Sequence, residues 1–159
     1  MALTPGPTKP PPRPPGDARD RPTESAGMQA VVRWGVLIGG LNIVADLAAI
    51  ALQQRLGPEA ADAIQTADLA VNAVLLAMAG SSVLRETGRV LLGAAAGVLA
   101  GLIDGVVVAV AGSMAPLPGQ QVPPEMLLLG NLVWNVGLGF VLAGAAAWVS
   151  RLAHRRPGS

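Results

Sequence analysis

The chain has 159 residues, too few for two sizeable domains, with 52% hydrophobic and 13% charged residues and a mean hydropathy of +0.51. That composition places it in the membrane class, and a net charge of +1 gives no basis for charge-driven nucleic-acid binding. There is no cysteine and the only histidine, His154, lies in the C-terminal tail, so thiolate chemistry and a His-based metal or haem site within one chain are excluded; no cofactor or metal is expected.

Residues 1–27 are polar and rich in proline, with Pro10, Pro11, Pro12, Pro14 and Pro15 close together. Such a segment cannot build a core, so a disordered tail with polyproline II character is expected. It holds no short apolar run near the start, so no cleavable signal peptide is expected. Runs of about 20 apolar residues read as spanning helices. Four follow in order, predicted over about 30–53, 61–84, 90–114 and 125–150.

The connections carry turn residues. Gly57 and Pro58 divide the first two spans, and Arg85 to Gly88 the next pair. Pro116, Pro118, Gly119, Pro123 and Pro124 mark the third connection, and Pro124 suits the first turn of a helix because its missing N–H has no partner there anyway. A short basic tail, 153–159, ends the chain, and His154 with Arg151, Arg155 and Arg156 suits contact with anionic lipid. The predicted fold is an all-α integral membrane protein, an antiparallel bundle of four helices within 28–152. Basic residues set its orientation. Lys9, Arg13, Arg19, Arg21 and Arg33 precede span one, Arg85 and Arg89 follow span two, and Arg151, Arg155 and Arg156 follow span four. Only Arg55 falls on the other side, so both termini are expected in the cytoplasm and the protein in the plasma (inner) membrane.

Spans one and two recur in spans three and four. Gly35–Asn42 matches Gly97–Asp104, and Asp68–Asn72 matches Asn131–Asn135, at offsets of 62 and 63 residues. The near-constant offset predicts a duplicated two-helix hairpin, whose halves would be related by a two-fold axis along the membrane normal. Helical periodicity puts Gly35, Gly39, Asn42 and Asp46 on one stripe of span one, and Gln65, Asp68 and Asn72 on one stripe of span two. Asn131 and Asn135 share a face of span four. Span three carries a ladder, Gly93, Gly97, Gly101 and Gly105, with Asp104 in its arc. Small residues let membrane helices approach closely, so the ladder predicts a packing face.

Asp46, Asp68 and Asp104 have no Lys or Arg partner within the spans. A carboxylate at bilayer depth costs several kcal/mol and should face protein or a water-filled space. With Asn42, Asn72, Asn131 and Asn135 these acids form the candidate site, placed mostly in the outer half of the bilayer above an apolar inner half. Two readings follow. In the first, neutral acids and asparagines hydrogen-bond across helices and hold the bundle together, in a structural, accessory or complex-subunit role. In the second, the acids carry a proton or cation, in a transporter or channel. An aspartic dyad of Asp46 and Asp68 is a distant third, with no nucleophile–base pair beside it, and no catalytic residue is assigned. The expected partners are the lipid bilayer and a second copy or a membrane partner protein.

Overall fold

The computed structural model describes residues 24–114 and 124–155, in four long helices. They are α1 (Glu24–Leu56), α2 (Ala61–Thr87), α3 (Val90–Met114) and α4 (Pro124–Arg155). Residues 1–23, most of the third connection and residues 156–159 lie outside the described part, and with them the bulk of both predicted tails. The bounds of α3 coincide with the predicted span. α1 begins at Glu24, inside the stretch expected to be tail, and α4 runs on to Arg155. At about 1.5 Å per residue even the shortest helix exceeds the roughly 30 Å hydrocarbon core of a bilayer. All four are long and apolar enough to cross one.

Glycine ends the first two helices. Gly57 takes φ 81° and its N–H donates to the Gln53 carbonyl at 3.0 Å, after which Pro58 opens a single 3-10 turn, Pro58–Ala60. Gly88 takes φ 67° and its N–H donates to the Leu84 carbonyl at 2.7 Å, the left-handed stop that favours glycine. The Thr87 hydroxyl donates to the Val83 carbonyl at 2.7 Å and accepts the Arg89 N–H at 3.2 Å. No atom lies within 4 Å of a methyl group added at Gly88, so only the backbone angle resists substitution. Gly88→Ala should therefore cost about 1–2 kcal/mol, with helix content unchanged, in thermal unfolding followed by circular dichroism in micelles.

α3 packs most closely against α4, and it also touches α1 and α2. α2 touches all three of its neighbours, whereas α1 and α4 share no contact among the described residues. The helices therefore form a rhombus with α2 and α3 on the short diagonal. A two-fold axis exchanging α1 with α3 and α2 with α4 would turn the α2–α3 contact into an α4–α1 contact. None is present, so the two hairpins do not pack with the two-fold symmetry that the repeat suggested.

The glycine ladder is buried between α3 and α4. A methyl at Gly97 would run into the Gly139 carbonyl and the Ala143 side chain, and one at Gly101 into the Asn135 carbonyl. Gly93 lies against Gly80 and Ala147, and Gly105 against Asn131 and Leu132. On α1, Gly35 and Gly39 pack against Leu99, Ala100 and Ile103 of α3. Beside these contacts an apolar core fills the half of the bundle nearest the α2–α3 turn, built on Val31, Ile38, Leu76, Ala79, Val83, Ala96 and Ala100. At that end Glu86 accepts hydrogen bonds from both the Arg33 guanidinium and the Trp34 indole, tying α1 to α2. Large apolar side chains such as Val44, Leu91, Val133 and Phe140 point outward. In water so much exposed apolar surface would drive aggregation, whereas in a bilayer it meets lipid.

Candidate functional site

Helical spacing builds the site one turn at a time. On α1, Asn42 and Asp46 are four residues apart and share a face; on α2, Asp68 and Asn72 do the same, as do Asn131 and Asn135 on α4. Asp104 comes from α3. The glycine ladder sets the last of these walls. Because Gly101 and Gly105 have no side chain, the α4 backbone at Asn131 and Asn135 comes to rest against α3, one turn from Asp104.

All four helices face one cavity of about 600 Å³, in the half of the bundle nearest the α1–α2 turn. Its walls include Asn42 and Asp46, Asp68 and Asn72, Asp104, and Asn131 and Asn135, so the seven residues singled out by periodicity meet in a single space. Residues that the repeat equates, such as Asn42 with Asp104 and Asn72 with Asn135, line it from different hairpins. Exposed Asp62, Gln65 and Thr66, in the first two turns of α2, also line it, so the cavity opens at that end. Leu76 and Leu138 line it toward the opposite end, where they meet the apolar core. The space is a vestibule with an apolar floor.

The Asp46 Oδ1 accepts a hydrogen bond from the Asn72 amide at 2.9 Å, and Asp46 lines the cavity together with Asp68 and Asp104. Four side-chain oxygens remain buried without a donor: Oδ1 of Asn42, Asp68, Asn72 and Asp104. Asn42 is only 2% exposed and Asp104 only 3%, so bulk solvent does not reach these two. A buried acceptor left unpaired costs about 1–3 kcal/mol, which makes the quartet an informative feature of the vestibule. Among the described residues no Lys, Arg or His lines the cavity. Among the described residues no three acidic, histidine or cysteine side chains converge as a metal-ion set would.

Several wall residues were not in the sequence-derived set, Asp62, Thr66 and Trp134 among them. Asp62 and Thr66 are missed because they lie in the first turns of α2, outside the part of the stripe that the intramembrane acids define. Their spacing from Asn72 and Leu69 would have revealed them. Trp134 both lines the cavity and is 62% exposed, so it forms part of the wall and also meets lipid. The glycines missed are Gly80 and Gly139, each pressed against backbone of a neighbouring helix.

No protein-family model matches the chain, and no curated protein or solved structure is significantly similar to it. Fold and site together define a class by their own features: a protein of four helices long and apolar enough to cross a membrane, with an acidic, asparagine-lined vestibule open at one end.

Proposed function

We propose that this protein takes a proton or small cation into its vestibule as part of transport across the plasma (inner) membrane, as a carrier or channel and not as an enzyme. The observation that carries this reading is the cluster of acids and asparagines lining the cavity, in which four side-chain oxygens are buried without a hydrogen-bond partner. A polar seam serving only to hold helices together would pair its own groups, because an unpaired one weakens the seam. Among the described residues only the Asn72–Asp46 bond does so. That bond is what favours the second reading, a structural polar core in an accessory protein or a subunit of a larger complex.

The excess of Lys and Arg at the ends that hold the termini supports cytoplasmic termini and a vestibule that opens outward. The acids and the Asp62 mouth would then concentrate cations at the entrance.

The test is flux into proteoliposomes followed with H⁺- and Na⁺-sensitive dyes. Wild type should conduct, and a variant carrying Asp46→Asn, Asp68→Asn and Asp104→Asn should lose about tenfold or more of that flux while staying folded, because asparagine keeps the shape and removes the charge. If neither protein conducts and the triple variant is at least as stable as wild type, the structural reading replaces this one.

A further inference from the structure

The first two helices meet along one pair of stripes. On α1, Trp34, Ile38, Asn42 and Asp46 recur at every fourth residue, and on α2, Asn72, Leu76, Ala79, Val83 and Glu86 recur at every third or fourth. From the vestibule toward the α2–α3 turn, the seam changes character twice. It starts with the Asn72–Asp46 bond at 2.9 Å. An apolar stretch follows, where Ile38 packs in one core with Leu76, Ala79 and Val83. It ends at Glu86, which accepts from the Trp34 indole at 2.8 Å and from the Arg33 guanidinium. That guanidinium also lies 5.8 Å from the centre of the Trp34 ring, so the three side chains form one cluster. Leu76 and Glu86 are about 15 Å apart along α2, at a rise of 1.5 Å per residue.

Other contacts in the bundle are made differently. Gly80 is pressed against the Ala143 backbone and Gly97 against that of Gly139, while the nearest neighbours of Gly27, Gly35 and Gly39 on α1 all belong to α3. Such approaches resist separation, because lipid does not replace the packing that is lost. α1 meets α2 through side chains instead, and the far end of that seam is wet: the Arg33 and Glu86 side chains are 64% and 37% exposed. Water can take over either partner, so this tie breaks and re-forms readily. The chain joins α1 to α2 at the Gly57 turn, beside the vestibule, so no covalent link limits their separation at the Glu86 end.

Resting on the reading of the vestibule as the entrance of a transport path, we propose that the path continues along the α1–α2 seam and that Glu86 is its inner latch. With Glu86 on Arg33 and Trp34 the seam is shut and the vestibule opens at one end alone. When Glu86 lets go, α1 and α2 part at that end, and the apolar stretch from Val83 toward Leu76 meets water. Glu86 acts as a positioning residue, through the placing of α1 against α2.

The chain has no cysteine, so one placed in the seam reports its opening. Val83→Cys serves, since Val83 is 0% exposed and lies one turn from Glu86 and two from Leu76. The full chain carrying it is treated in detergent micelles with a charged, water-soluble maleimide. In otherwise wild-type protein the thiol should react slowly. Glu86→Ala should raise the rate about tenfold, a shift of about 1.4 kcal/mol between closed and open seams. Glu86→Gln keeps an acceptor for the indole and loses the charge, so its rate should fall between the two. Trp34→Phe keeps a ring against the core and removes the N–H; it should also raise the rate, and it serves if Glu86→Ala does not fold. Gly88→Ala is the control, because it strains the end of α2 without touching the cluster, and its rate should stay near that of wild type. An unchanged rate in folded Glu86→Ala would overturn the proposal. So would an equal rise in Gly88→Ala, since exposure of the thiol would then follow stability alone. Proton and sodium flux in proteoliposomes separates the latch from the reading it rests on. If Glu86→Ala speeds labelling but neither it nor wild type conducts, the seam opens as proposed and the transport reading falls. If wild type conducts and labelling does not respond, the latch falls and the cation vestibule stands.

Discussion

Alanine at Gly97 should destabilise the protein by about 3 kcal/mol, at the upper end of what overpacking usually costs. The new methyl would fall onto the Gly139 carbonyl and the Ala143 side chain, and Gly139 lies in turn against Gly97. Neither atom is the free end of a flexible side chain, so relief requires α3 and α4 to separate along the seam where they pack most closely. Lipid supplies no hydrophobic drive between helices, so lost close packing is not recovered elsewhere. Gly101→Ala meets the Asn135 carbonyl in the same way and should also displace the vestibule wall. Gly40→Ala and Gly137→Ala are the controls. A methyl at either has no atom within 4 Å, and alanine is the better helix former by up to about 1 kcal/mol, so both should be neutral or slightly stabilising. Thermal unfolding in micelles, read by circular dichroism, checks all four. Similar midpoints for Gly97→Ala and Gly137→Ala would mean that the close approach of α3 and α4 does not hold the bundle together.

These glycines also mark how far the sequence could be read. The ladder on α3 is legible because four glycines at one spacing stand out, but its partner is not. Gly139, Ala143 and Ala147 lie in an alanine-rich helix where any face looks small. The pairing of helices is illegible for the same reason. Apolar faces alone do not distinguish an α2–α3 contact from an α1–α4 contact, and the choice falls to backbone approaches such as Gly80 against Ala143. The start of α1 at Glu24 is missed because hydropathy marks where a helix enters lipid and says little about where it begins. Outside lipid, Ser25 and Ala26 are adequate helix residues, and the Glu24 carboxylate suits the positive end of the helix dipole. The site residues are more legible, since a carboxylate in an apolar run is conspicuous and the helical period fixes its face. What periodicity does not reveal is whether those faces close into a knot or leave a space. That depends on the spread of the helices at the α1–α2 turn.

Leu76→Asn should raise proton leak through the protein by about tenfold, because a hydrophobic constriction blocks conduction by staying dry and one polar group can wet it. Leu76 is the residue at which the two halves of the bundle meet. It lines the vestibule, and it packs with Ile38, Ala79, Val83 and Ala100 in the apolar core below. Its side chain is 3% exposed, so the new amide also loses packing, and stability should fall by about 2–4 kcal/mol. Ile38→Ala, one layer further from the vestibule and 1% exposed, should cost about as much stability but leave the leak near the wild-type level, since the cavity it opens is apolar and stays empty. The pair separates gating from stability. The readouts are dye-detected proton flux in liposomes and unfolding in micelles on the same preparations. A leak that follows stability in both variants would make the apolar layer simply a core. A leak that rises only with Leu76→Asn would make it the floor on which the vestibule closes, with the Arg33–Glu86–Trp34 contacts holding α1 and α2 together beneath it.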